Sequence, residues 1–245
     1  EIKNVKADYI FYVTPSQYFK QILLSHKNFI AKKSQVIICS KGIEINSGFM
    51  LSDIYKSILS MDNFLVLSGP SFAKEVASGL PAALVLASQD IKKSIALANT
   101  ISSRNFRIYP SDDVIGVQLG GAIKNIYAIG AGIVKGLKYG ENARAAFLTR
   151  CVAEMFKICN FMGGKKETIY GLSCIGDILL TCNSEKSNKL PHPKILDAVI
   201  RRNKKKIKNK ENYTEKEFRE LYKNCKDVYN GNRKMFKFPK RDCSQ

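Results

Sequence analysis

One lysine in this sequence stands where a lysine has little reason to be. Lys124 lies in the run Gly120-Gly121-Ala122-Ile123-Lys124-Asn125. On a helix its neighbours at i−4, i−3, i+4 and i+7 are Gly120, Gly121, Ala128 and Ala131. A lysine on a face of small residues is not easily the wet side of an amphipathic helix; the alternative is a lysine near a helix end that snorkels to solvent. It reads as an amine held in a tight, partly dry space, where desolvation favours the neutral form that a proton-transfer group needs. A second polar pair follows in Gly176-Asp177-Ile178-Leu179-Leu180-Thr181, which puts Asp177 and Thr181 on one helical face. Asp177 reads equally well as a simple N-terminal cap. His26 and His192 stand in no constellation and read as surface residues.

Three further runs interrupt apolar stretches at regular places: Thr14-Pro15-Ser16-Gln17, Ser40-Lys41-Gly42-Ile43-Glu44 and Ser68-Gly69-Pro70-Ser71 leading into Phe72-Ala73-Lys74. Each ends a short run of strand type: 9–13, 35–39 and 64–67. Ligands of open α/β sheets sit beyond the carboxyl ends of the strands, so these are the turns to watch. Gly69 permits close approach of a ligand to the backbone, and Ser71 is placed to cap the helix that follows.

The elements needed to hold these residues follow from the same text. Runs at 82–87 and 106–109 complete a strand series, with helical spacing up to about 31, over 52–61 and over 90–102. Strands alternating with helices predict an open parallel α/β sheet. At Ser111-Asp112-Asp113 the texture changes, because acidic residues favour a helix start and the apolar spacing beyond is helical to about Val134. Residues 142–162 and 177–183 also read as helix, with no strand after 110. The predicted organisation is an α/β part over 1–111, an all-α part over 112–187 and a basic tail over 188–245.

Composition narrows the class. The formal net charge is +19, and residues 188–245 hold 18 Lys or Arg against 7 Asp or Glu. The tail reads as a solvated, Lys-rich segment rather than a nucleic-acid site. No apolar run reaches the roughly 18–20 residues of a membrane helix. The opening Glu1-Ile2-Lys3-Asn4-Val5 has no apolar stretch of signal-peptide type and no initiator Met. Seven cysteines without a Cys-x-x-Cys pair read as reduced thiols, in a cytoplasmic protein without a metal site.

Taken in order and spacing, the runs 40–44, 68–77, 116–125 and 171–182, with Ala143 to Glu154 between them, resemble NAD(P)-dependent glycerol-3-phosphate dehydrogenase of the bacterial soluble type. The resemblance covers roughly residues 5–187. It implies a Rossmann-type domain followed by an all-α domain, a homodimer, and NAD or NADP as cofactor. The implied reaction interconverts dihydroxyacetone phosphate and sn-glycerol 3-phosphate for phospholipid synthesis. It also implies roles for residues: Lys124 as the proton-transfer group, with Asp177 beside it. Lys41, Gly69, Ser71, Lys124, Asp177 and Ser187 are the implied substrate contacts, and Pro15, Lys41 and Ala73 the implied cofactor contacts. Two departures stand out. No Gly-x-Gly-x-x-Gly run occurs in the 245 residues, and Asn188-Lys189 follows Ser187 where the family has Arg-Asn. A chain with these departures is expected to be a poor dehydrogenase. The alternatives are a related β-hydroxyacid dehydrogenase and a non-enzymatic remnant with a basic tail.

Overall fold

The computed structural model describes residues 7–183; Ser187, His192 and the tail over 188–245 lie outside the described residues. The chain divides into two compact units, Glu1–Asn125 with Thr149–Ser184 and Ile126–Leu148 with Glu185–Gln245.

In the first unit, five strands form one sheet in the order β1 (Tyr9–Tyr12), β2 (Gln35–Ile38), β3 (Phe64–Ser68), β4 (Ala82–Ala87) and β5 (Phe106–Ser111). Between them lie α1 (Ser16–His26), a 3-10 turn (Lys27–Phe29), α2 (Leu51–Leu59), the five-residue α3 (Ala73–Ala77) and α4 (Ile91–Ile101). Both faces of the central strands β2 and β3 are covered, which is why they read as unbroken apolar runs rather than alternating ones, whereas Tyr9 and Phe11 of the edge strand β1 are exposed. In β2, Val36 and Ile38 join Phe19, Leu23, Tyr55, Val66 and Val117 in one core, while Ile37 joins Leu65, Leu86, Leu97 and Ile108 in the other.

The expected parallel α/β sheet is borne out, with one antiparallel pair in it. The pairs β1–β2, β2–β3 and β4–β5 are parallel, but β3 and β4 pair antiparallel, with Ser68 opposite Val85. A parallel crossover needs a dozen or more residues, usually with a full helix. The stretch between Ser68 and Ala82 holds only α3, so the chain turns back beside the strand it has just left.

Beyond β5 the described residues contain helices and no strand: α5 (Val114–Gly136), α6 (Gly140–Phe161), α7 (Lys166–Ile169), a π-helical turn (Leu172–Gly176) and α8 (Asp177–Asn183). The sequence marks neither α7 nor the π-helical turn, being too short for a periodicity to show. Among the described residues one helix, α5, is long and apolar enough to cross a membrane by length and composition alone, and 78% of its most apolar stretch is buried inside the protein. Gln118 and Lys124 break the run that an unbroken-stretch criterion looks for. His26 is half-buried, its ring beside Tyr12, rather than a free surface residue.

The entry to α5 is fixed by a carboxylate. Asp113 is 5% exposed. Its Oδ1 accepts from the Gly116 backbone N–H at 2.9 Å, and its Oδ2 accepts from the Lys165 N–H at 2.8 Å and from the Thr168 hydroxyl at 2.6 Å. One side chain thus ties the first turn of α5 to α7. Gln118 ties the same helix to α2, accepting from the Ser52 N–H and donating to the Ser52 hydroxyl.

Candidate active site

The π-helical turn is what delivers Asp177. It docks against α5 at two glycines. A Cβ at Gly120 would overlap the Ser173 carbonyl, and the Cys174 thiol donates to the Gly116 carbonyl at 3.4 Å. With the turn pressed this close, Asp177 at the start of α8 faces Lys124, one turn along α5 from Gly120.

Asp177 is fully buried, and its carboxylate accepts from two lysines. Lys124 Nζ donates to Oδ1 at 2.5 Å and Lys41 Nζ donates to Oδ2 at 2.6 Å. Lys41 also donates to the Gly69 carbonyl at 2.8 Å. The small-residue face reported truly for Lys124, whose side chain is 9% exposed. The helix face alone did not reveal the carboxylate beside it. Asp177 is not an ordinary cap, because its oxygens go to these ammonium groups; its carbonyl accepts from the Thr181 hydroxyl. Two ammonium groups around one carboxylate leave one net positive charge in the trio, a setting suited to an anionic ligand.

The strand-end turns hold the rest. Lys41 lies just beyond β2, and Gly69 just beyond β3 with φ +150°, where a Cβ would press on Leu84 Cα at 3.0 Å. Ser71 is beside this cluster but does not cap α3, which starts from Phe72 without a side-chain cap. Its hydroxyl turns back to the Gly69 carbonyl at 3.5 Å, because the chain is still extended at Phe72 and the helix begins one residue later than the expected cap requires. Pro15 precedes α1 and Ala73 opens α3; both are exposed. The structure therefore brings Lys41, Gly69, Ser71, Lys124 and Asp177 together, with Pro15 and Ala73 at neighbouring strand ends.

One residue here was missed by sequence reasoning. Ser68, the last residue of β3, is 2% exposed, and its hydroxyl lies on Gly121 with no hydrogen-bond partner. Its only signal was a polar residue closing an apolar run. A separate open groove of about 430 Å³ lies between the ends of β4 and β5 and α7, lined by Tyr109, Asp112, Lys165 and Ser173 among others. Its lining includes none of the trio.

Burial controls the thiols of this unit. It pushes Cys39 and Cys174 up to about 12, and Cys159 up to about 11. Among the described residues, Cys39, Cys151, Cys159, Cys174 and Cys182 form no disulfide.

Fold and site together define a Rossmann-like α/β protein with a helical C-terminal part and a buried lysine–carboxylate centre. The comparisons with known proteins make the family specific. Residues 3–94 match the model for the N-terminus of NAD-dependent glycerol-3-phosphate dehydrogenase, and residues 113–239 match the model for its C-terminus. The chain belongs to the NAD-dependent glycerol-3-phosphate dehydrogenase family. The C-terminal match extends past Ser187, where the motif-by-motif resemblance stops. Two similar curated relatives are the glycerol-3-phosphate dehydrogenases [NAD(P)+] of Agrobacterium fabrum and Francisella tularensis subsp. novicida. The first is 44% identical over 75% of this chain and 56% of its own length, the second 45% over 74% and 54%. The crystal structure of glycerol-3-phosphate dehydrogenase from Coxiella burnetii is 37% identical, covers 79% of this chain and 62% of that one, and superposes with a TM-score of 0.73. The chain spans about half the length of the curated relatives it matches.

Proposed function

We propose that this chain carries the substrate-handling centre of an NAD(P)-dependent glycerol-3-phosphate dehydrogenase, acting on dihydroxyacetone phosphate and sn-glycerol 3-phosphate in support of phospholipid synthesis. The observation that carries the reading is the buried Asp177 carboxylate held by Lys124 and Lys41 at 2.5 and 2.6 Å. In the reductive direction, Lys124 gives a proton to the C2 oxygen as that oxygen gains charge. Asp177 holds the Lys124 ammonium in place and orients it. Lys41, Gly69 and Ser71 line the approach and hold the substrate's oxygens. The trio's net positive charge favours a phosphorylated substrate over a neutral one.

Pro15, Lys41 and Ala73 fit a dinucleotide. They follow strands β1, β2 and β3, which run parallel, so their turns face one end of the sheet. When bound, the nicotinamide supplies the hydride. The working arrangement assigns residues 1–111 to cofactor binding and 112–187 to substrate, in a cytoplasmic homodimer.

The test is binding and turnover of the 245-residue chain. Calorimetric titration with sn-glycerol 3-phosphate should give saturable binding that is lost in Lys41→Met, and glycerol should not bind. Equal binding of glycerol, or of an unphosphorylated 3-hydroxy acid, would overturn the assignment. Oxidation of NADH or NADPH with dihydroxyacetone phosphate should fall well below the usual roughly 1–1000 per second. The reason is that the sequence holds no Gly-x-Gly-x-x-Gly turn, and cofactor positioning contributes roughly 7–11 kcal/mol. Whatever turnover remains should vanish in Lys124→Ala.

A further inference from the structure

Gly121 is the residue of α5 whose missing side chain has no helical justification. It sits in ordinary helical backbone, where alanine has the higher propensity, so its conservation of space must answer to what lies against it. A Cβ there would stand 3.0 Å from the Ser68 hydroxyl and 3.2 and 3.4 Å from Cγ and Cδ of Lys41. The stem of Lys41 therefore crosses α5 over this glycine, with Ser68 as the other wall. At the far end of that stem the ammonium reaches the Gly69 carbonyl and Asp177, while Lys124, three residues along the same helix, reaches Asp177 from its own side.

We propose that Gly121 and Ser68 form a seat for the stem of Lys41, and that Gly121 is a positioning residue that lets two lysines converge on one carboxylate. The contacts at 3.0–3.4 Å are tighter than ordinary side-chain packing, so one added methyl must displace something. The β3 backbone is held on both sides by strands and α5 is a long helix, whereas Lys41 is a flexible chain whose side chain is 24% exposed. The lysine gives way first. The small face of α5 thus has two jobs: Gly120 admits the turn that brings Asp177, and Gly121 admits the lysine that shares it.

The inference gains its functional meaning from the proposed ligand role of Lys41, but its test needs neither ligand nor turnover, so each can fail without the other. The full chain and its variants are labelled with trace acetic anhydride, and acetylation of each lysine is read by mass spectrometry. Lys33 and Lys92, both exposed, serve as references. In the parent chain Lys41 should label several-fold more slowly than the references. In Gly121→Ala it should approach their rate, while Lys124 stays protected and the circular dichroism spectrum is unchanged. Ser68→Ala alone should leave Lys41 protected. The double variant, with the hydroxyl removed to make room for the new methyl, should recover most of the protection. Unchanged Lys41 labelling in Gly121→Ala, or loss of Lys124 protection in its place, would show that the helix moves and overturn the proposal. Release of Lys41 by Ser68→Ala alone would assign its placement to the hydroxyl and overturn it as well. If Gly121→Ala does not fold, Gly121→Ser in the Ser68→Ala background takes its place: its hydroxymethyl group refills the space, so Lys41 should label faster than in Ser68→Ala alone, and equal labelling would overturn the proposal.

Discussion

Replacing Asp177 with asparagine keeps the shape of the site and removes the charge that holds it. The carboxylate is fully buried and accepts from Lys124 at 2.5 Å and Lys41 at 2.6 Å. At an effective dielectric constant of ~20, each contact corresponds to about 6 kcal/mol of Coulomb attraction before desolvation is subtracted. Desolvation removes most of that, and breaking a buried pair by neutralising one partner typically costs about 3–5 kcal/mol, because the remaining charge is stranded. Asp177→Asn strands two ammonium groups. Lys41 can reach solvent, its side chain being 24% exposed, but Lys124, at 9%, cannot do so cheaply. The expected loss is therefore about 3–5 kcal/mol, carried mainly by Lys124. Urea unfolding followed by far-ultraviolet circular dichroism measures it. Adding Lys124→Met to Asp177→Asn should recover part of the loss, since it removes the stranded charge. A loss under about 1 kcal/mol, the scale of an exposed pair, would refute the reasoning. So would a double variant that is less stable than Asp177→Asn.

Three other perturbations test the frame around the site. Asp113→Ala leaves the buried donors of Gly116, Lys165 and Thr168 without their acceptor and should cost about 2–4 kcal/mol, with Asp113→Asn milder, both read by urea unfolding. Gly120→Ala puts a methyl into the Ser173 carbonyl, which as backbone cannot swing aside; a melting temperature within a degree or two of the parent would contradict the docking described. The third concerns alkaline pH. Burial pushes Cys39, Cys159 and Cys174 up to about 12, 11 and 12, against roughly 8.5 in an unfolded chain. Their raised values mean that the fold prefers the protonated thiol. That contribution is complete below about 8.5 and is lost as pH rises towards 11–12, at up to about 1.4 kcal/mol per pH unit per thiol. Denaturation midpoints at pH 8 and pH 10 should differ accordingly, and Cys174→Ala should reduce the difference.

The amino-acid order was enough for the alternation of strands and helices, because apolar runs buried on both faces of a sheet and the 3.6-residue spacing of α5 are local signals. It was enough, too, to single out residues with unusual surroundings. A lysine among glycines, a lysine after one strand and an aspartate at a helix start are each anomalous against their neighbours. What it could not carry were relations between distant segments. The reversed direction of β4 depends on how a turn of a dozen residues folds back, and a strand reads the same in either direction. Ser71 looked like a cap because capping is judged by spacing, while the start of α3 is set by where the chain stops being extended. The pairing of Lys124 and Lys41 with Asp177 joins residues 53 and 136 positions apart. It exists only because Gly120 and Gly121 leave room for a π-helical turn and a lysine stem on one helix face. Glycine in the sequence records that space is left; only the tertiary structure decides what fills it.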